Sequence, residues 1–248
     1  VNLALALARE GARVGILDAD IYGPSQPRML GLLNRTLESH DGKTFEPLVA
    51  HGLQVSSIGF MIDEEKPLIW RGPMVTQALQ QLAFQSNWND LDYLLVDLPP
   101  GTGDAQLTPT QKGPRAGAII ITTPQDVALA DARKGLKMFE AVGVPVLGVI
   151  ENMSTFICPC CDKETEIFGS GGGERLAQES GVTLLGKLPL DGRIRAETDG
   201  GRPTVVADPD GPIAKRYREI ARAAAAALAK RPKDQRGKFG TIVVEGRK

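Results

Sequence analysis

Residues 93–104 read YLLVDLPPGTGD. The run Tyr93–Val96 is apolar on both alternating faces, which is the pattern of a strand covered by helices on each side of a sheet. It stops at a carboxylate, Asp97, and passes into a turn built from Pro99, Pro100, Gly101 and Gly103. The runs AIIIT (118–122) and PVLGVI (145–150) repeat the pattern. Working outward, the strand candidates are Arg13–Leu17, Leu53–Ile58, Tyr93–Val96, Gly117–Thr122, Val144–Ile150 and Thr183–Leu188. Helical patterns fill the intervals. Over 124–142, Leu129, Ala132, Leu136 and Phe139 recur at helical spacing, with Thr123 as N-cap, Pro124 in the first turn and Gly143 as the stop. Over 211–229, Ile213, Tyr217, Ile220, Ala224 and Leu228 do the same. Strand–helix alternation predicts an α/β fold, a mainly parallel, doubly wound sheet with helices on both faces. One domain over 1–229 is expected, followed by a basic tail over 230–248.

The 248 residues carry 29 Lys and Arg against 30 Asp and Glu. A net charge of −1 provides no general basic field, so no nucleic-acid partner is expected. The tail holds seven cations against two carboxylates and reads as a solvated terminus. No run of 18 apolar residues is present, so no membrane span is expected. The start, VNLALALA, resembles the apolar part of a signal peptide but lacks the preceding positive charge. It reads better as a buried helix stopped by Gly11. Three cysteines cannot form a disulfide framework, and a reducing, cytoplasmic setting is expected.

In parallel sheets ligands bind beyond the carboxyl ends of the strands. Two such ends carry acids. One is Asp18-Ala19-Asp20 and the other is Asp97 with its glycine-rich turn. A carboxylate after YLLV is partly buried, and a hard cation such as Mg2+ carried in with a nucleotide resolves its cost. The plainer alternative for each is a helix-capping Asp with a Pro/Gly turn. The two together favour a nucleotide-phosphate site.

Cys158 and Cys161 have Cys-x-x-Cys spacing, with Cys160 between them. Thiolates suit iron–sulfur clusters, Zn or Cu(I), and two do not complete a site. His40 and His51 are distant in sequence and read as surface residues. Either folding brings in other ligands, or a second chain supplies a matching pair across a two-fold axis. A redox dithiol and incidental cysteines are the alternatives. The stretch Pro159 to Glu166 favours a loop over the strand-to-helix setting of a redox pair.

The stretches ILDADIYGPSQPRMLG (16–31), WRGPMV (70–75), LDYLLVDLPPGTGDAQLT (91–108), GVIENMS (148–154) and CPCC followed by TEIFG (165–169) resemble the Mrp-type P-loop ATPases that carry iron–sulfur clusters. These belong with the MinD- and ParA-like ATPases. The resemblance covers about residues 1–228. It implies a homodimeric, ATP-dependent carrier that holds a bridging [4Fe–4S] cluster and passes it to apo-proteins. By resemblance, Asp97 is the Walker B aspartate on Mg2+, Asp18 supports the metal shell and Asp20 orients the attacking water. Pro99, Gly101 and Gly103 belong to the switch at the γ-phosphate, Asn152 reads the adenine edge, and Cys158 and Cys161 are the cluster ligands, in a loop over about 152–168. Two other readings stay open: a MinD/ParA-like positioning protein and a zinc-binding scaffold without ATPase activity. The chain departs from the family at Cys160, which could substitute as a ligand or be an oxidation liability beside Cys161, and most of all at its start. It contains no Gly-x-x-x-x-Gly-Lys-Ser/Thr phosphate loop. VNLALALAREGARVGILDAD resembles the helix that follows that loop. The expectation is therefore a chain lacking the family's first strand and loop, with unpaired strands in the sheet and weak ATP binding.

Overall fold

The computed structural model describes residues 1–61, 72–101, 117–161 and 163–231, with the backbone alone at 72, 73 and 75. Gly103, Trp70, Arg71 and residues 232–248 of the tail lie outside the described residues.

All six expected strands form, within about two residues of their expected bounds. They are β1 (Val14–Asp18), β3 (Leu53–Ser57), β4 (Tyr93–Asp97), β5 (Ala118–Thr122), β6 (Val146–Glu151) and β9 (Leu184–Lys187). Three short strands add to them: β2 (Leu48–Ala50), β7 (Phe156–Ile157) and β8 (Glu164–Thr165). The strand order is β2-β3-β1-β4 in one sheet, β5-β6-β9 in a second, and β7-β8 in a hairpin. Every pair among the six long strands is parallel, and β2 joins β3 antiparallel. The β2–β3 turn places His51 and Gly52 at positive φ, 50° and 81°, as a two-residue hairpin turn requires.

The helices are α1 (Asn2–Arg9), α2 (Gln26–Met29), α3 (Gly72–Phe84), α4 (Asp126–Ala141), α5 (Gly172–Glu179), α6 (Gly192–Asp199), α7 (Thr204–Ala207) and α8 (Pro212–Ala229). They cover both faces. Leu5 and Leu7 of α1 and Ala214 and Ala221 of α8 pack with Val14, Ile16, Leu53 and Val55. Leu79 and Leu82 of α3 pack with Leu17 and Ile58 on the opposite face. In the second sheet, α4 and α5 place Leu129, Leu136, Phe139 and Leu176 against Ile120 and Val149. Ile220 of α8 packs with Ile150 and Leu185 on its other face. Leu3 of α1 touches both the first core and this last one, so α1 and α8 tie the two sheets together.

Two expectations need correction. Thr123 is not the N-cap of α4. The Thr122 hydroxyl donates to the Thr123 carbonyl, and Gln125, in extended conformation with ψ 141°, precedes the helix instead. The runs YLLVD and AIIIT are not covered on both faces either. Leu94, Val96 and Ile121 are exposed, Ile121 by 62%. Among the described residues β4 pairs only with β1 and β5 only with β6, so each keeps one open edge.

Candidate functional site

Strands β1 and β4 start level and end level. At the start, the Arg13 backbone N–H donates to Asp92 Oδ2 at 2.8 Å, and the Arg13 guanidinium clasps the same carboxylate and Asp90. Five residues on, Asp18 stands opposite Asp97 in register. The Ala19 N–H donates to the Asp97 carbonyl at 2.9 Å and continues the ladder past the strand end. The parallel register thus sets two carboxylates side by side at the carboxyl edge of the sheet. Strand order brings about this meeting of residues that lie far apart in sequence.

The two acids differ from the expectation. Asp97 is exposed, whereas Asp18 is fully buried. Asp18 accepts from the Gln26 N–H (3.1 Å) and Ser57 Oγ (2.9 Å) at Oδ2 and from the Asp20 N–H (3.2 Å) at Oδ1. Burial nevertheless pushes its carboxyl up to about 6, against the opposing pull of these hydrogen bonds, and the neighbouring Asp97 charge adds to the rise. Asp20 folds back on its own loop, accepting from the Tyr22 and Gly23 N–H groups at Oδ1 (3.1 and 3.2 Å). Pro99 is buried just beyond Asp97. Gly101 has φ +100°, a conformation that favours glycine.

Gln26 is a site residue that sequence reading missed. It is 2% exposed, and its Nε2 donates to Asp97 Oδ2 at 2.8 Å. Its Oε1 is buried without a hydrogen-bond partner among the described residues. Nothing local marks it, because a Gln in the first turn of a short helix reads as a surface residue. Hard carboxylate oxygens with an unsatisfied amide oxygen beside them suit a hydrated divalent cation.

Asn152 follows β6. Its N–H donates to the Thr122 carbonyl (2.7 Å), and its Oδ1 accepts from the Met153 N–H (3.0 Å). Glu151, 1% exposed, accepts the Gly173 N–H at the start of α5 at 2.6 Å. Ser170 and Gly171 precede α5, with Gly171 as N-cap at φ +65°, and Gly172 and Gly173 form its first turn.

Between Glu151 and Gly173 the chain makes an excursion that carries the cysteines. Its base is stitched to the end of β9: the Ser154 N–H donates to the Leu188 carbonyl and the Leu190 N–H to the Thr155 carbonyl. Its tip is the β7–β8 hairpin, pairing Phe156 with Thr165 and Ile157 with Glu164. Cys158 opens the turn, and its N–H donates to the Lys163 carbonyl at 3.0 Å. The Cys158 sulfur is held below the usual thiol range by the Cys160 N–H, then by the Cys161 thiol and the Cys161 N–H. This arrangement brings Cys158 and Cys161 together and favours thiolate at Cys158. Cys160 and Cys161 are exposed and Cys158 is half-buried. The Cys160 thiol also reaches the Cys158 sulfur, and among the described residues no three His, Cys, Asp or Glu side chains converge on one metal position. His40 and His51 are exposed and remote from it, His51 bonding the Gly201 carbonyl at 3.0 Å. No described helix is long and apolar enough to cross a membrane.

The sequence matches the family model described as ParA, NUBPL iron-transfer P-loop NTPase, over residues 1–225. An iron-sulfur cluster carrier protein of Pseudomonas fragi is 58% identical over 221 residues, 89% of this chain and 77% of the relative. One of Escherichia coli K12 is 52% identical over 228 residues, 92% of this chain and 62% of the relative. The chain thus spans about three fifths of the length of that relative. Among solved structures, the nucleotide-binding protein of Archaeoglobus fulgidus in complex with ADP matches with a TM-score of 0.72 and 34% identity, covering 87% of this chain and 84% of that one. The cell division ATPase MinD of Pyrococcus furiosus shares the fold, with a TM-score of 0.65 and 20% identity over 91% of this chain and 90% of that one. The level acids at the parallel strand ends and the cysteine hairpin beyond β6 thus lie in a chain that belongs to the ParA/NUBPL family of iron-transfer P-loop NTPases.

Proposed function

We propose that this protein is an ATP-dependent carrier of an iron–sulfur cluster. Two copies hold one [4Fe–4S] cluster as cargo through Cys158 and Cys161 of each, and deliver it to apo-proteins in the cytoplasm. The observation that carries this reading is the Cys158–Cys161 pair, brought together at the tip of an anchored hairpin where no three metal-binding side chains converge on one position among the described residues. Two thiolates are half of the usual four, and a two-fold axis supplies the rest from an identical surface. Dimerisation and cluster binding are then thermodynamically linked.

In this reading Asp97 holds Mg2+ through water, Asp18 supports that shell and Asp20 orients the attacking water. Pro99, Gly101 and Gly103 form the turn facing the γ-phosphate, and Asn152 meets the adenine edge. When bound, Mg2+ neutralises phosphate charge, which is the main demand of phosphoryl transfer. The buried carboxylate of Asp18 is fixed by three donors beside Asp97 at the end of β1. Asn152 presents an amide whose Oδ1 is already anchored to the backbone, so its orientation is set before any base arrives. Without a phosphate-loop sequence, the 248 residues alone bind ATP weakly and hydrolyse it negligibly.

Anaerobic reconstitution with iron and sulfide tests the cargo. A visible charge-transfer spectrum with iron and sulfide retained through gel filtration supports the carrier. Retention of zinc alone, with no visible chromophore, would refute it in favour of a zinc-stabilised scaffold.

A further inference from the structure

The buried amide of Gln26 has no role in the reading above. Its backbone N–H donates to Asp18 Oδ2 and its side-chain Nε2 to Asp97 Oδ2, so one residue touches both acids of the level pair. Its orientation is forced. With the amide reversed, Oε1 would face the Asp97 carboxylate, two acceptors in contact with no proton between them. The observed orientation satisfies Asp97 and leaves Oε1 buried without a partner among the described residues. A buried acceptor with no donor destabilises the fold and calls for an explanation such as an absent water or ion. Oε1 and Nε2 share one carbon, so the unsatisfied oxygen lies directly beside the carboxylate that Nε2 holds.

We propose that Gln26 is a positioning residue for a hydrated divalent cation at Asp97, its Nε2 fixing the carboxylate and its Oε1 accepting from a cation-bound water. The inference rests on the proposed metal-binding role of Asp97. A bound cation orients its water hydrogens outward, and an amide oxygen is a strong acceptor for them. This one contact would satisfy Oε1 and hold the cation at the end of β4. Pro27 follows in the first turn of α2 and fixes the backbone from which Gln26 reaches across.

The test uses Mn2+ alone, titrated into the chain without nucleotide and followed by electron paramagnetic resonance, with thermal unfolding measured in chelator and in Mn2+. The variants are Gln26→Met, Gln26→Glu and Asp97→Asn. Gln26→Met keeps the volume and removes both polar contacts. It is expected to bind Mn2+ about 10–100-fold more weakly, by analogy with lost outer-shell partners of metal ligands. In chelator its unfolding temperature is expected to equal or exceed that of the unaltered chain, because the unsatisfied acceptor is gone. Gln26→Glu keeps an acceptor oxygen, and it is expected to recover part of the Mn2+ affinity that Met loses. Asp97→Asn is expected to abolish binding. A merely structural Gln26 would lower stability in chelator and leave Mn2+ affinity unchanged, and that result overturns the proposal. If Asp97→Asn abolishes binding while Gln26→Met binds normally, the carboxylate site stands and Gln26 does not serve it. Absence of Mn2+ binding to the unaltered chain at millimolar concentration overturns both roles.

Discussion

Replacing Asp18 by Asn should stabilise the metal-free protein at neutral pH and lose that advantage in acid. Asp18 is fully buried, and burial raises its carboxyl from the ordinary 3.8 to about 6. The folded state therefore binds the proton more tightly than the unfolded state. Below about pH 4 both states are protonated and Asp18 costs nothing. Between about 4 and 6 the unfolded chain ionises first, so stability falls as pH rises. Above about 6 the full cost remains, about 2 units at 1.36 kcal/mol each, or about 3 kcal/mol. Asn never ionises and escapes this cost. It cannot accept from all of the Gln26 N–H, Ser57 Oγ and Asp20 N–H as the carboxylate does, a loss of about 1–2 kcal/mol. That loss does not depend on pH, so the pH dependence of the difference isolates the ionisation. Between about pH 4.5 and 7.5 the stability difference should shift toward the Asn variant by about 2 kcal/mol, or about 4–8 °C in unfolding temperature. Urea unfolding in chelator, with both proteins at each pH, measures it. A difference constant within about 0.5 kcal/mol across that range would refute a raised Asp18.

Three further outcomes follow from other contacts. Glu151→Ala removes the acceptor of the Gly173 N–H and leaves a buried void, and should cost about 2–4 kcal/mol in urea unfolding; an unchanged midpoint would show that the base of the cysteine excursion is not held there. Gly172→Ala would set a Cβ 2.6 Å from the Pro124 carbonyl oxygen, and about 1–3 kcal/mol of destabilisation is expected by the same assay. Calorimetry should find ATP binding to the 248 residues alone well weaker than micromolar, because missing three or four charge-assisted contacts to phosphate removes on the order of 6 kcal/mol, about four decades of affinity; a micromolar Kd would contradict this.

What the sequence disclosed depended on how local the signal was. The six long strands were legible because each is a short apolar run between turn residues, and α4 and α8 because their apolar residues recur at helical spacing. Asp97 was legible as the end of a strand, but its exposure was not. Exposure depends on which parts of the chain fold against the end of β4, which no local run of residues discloses. Asp18, ending in the same way, turned out to be the buried acid, because Ser57 and Gln26 close over it from separate parts of the chain. Gln26 carried no sequence signal, since its importance arises only when β1 and β4 lie side by side. The strand β2 could have been found from the His51-Gly52 pair, which suits a two-residue turn, ahead of the apolar run in β3. The Cys-x-x-Cys spacing was visible at once, but the backbone N–H groups gathered on the Cys158 sulfur were not.

The most direct test of the carrier reading is native mass spectrometry of the anaerobically reconstituted protein, beside the Cys158→Ala, Cys161→Ala double variant. The account predicts a cluster-bearing species of two chains with four irons, absent from the double variant. A cluster held by a single chain, or one retained after both cysteines are replaced, would contradict it.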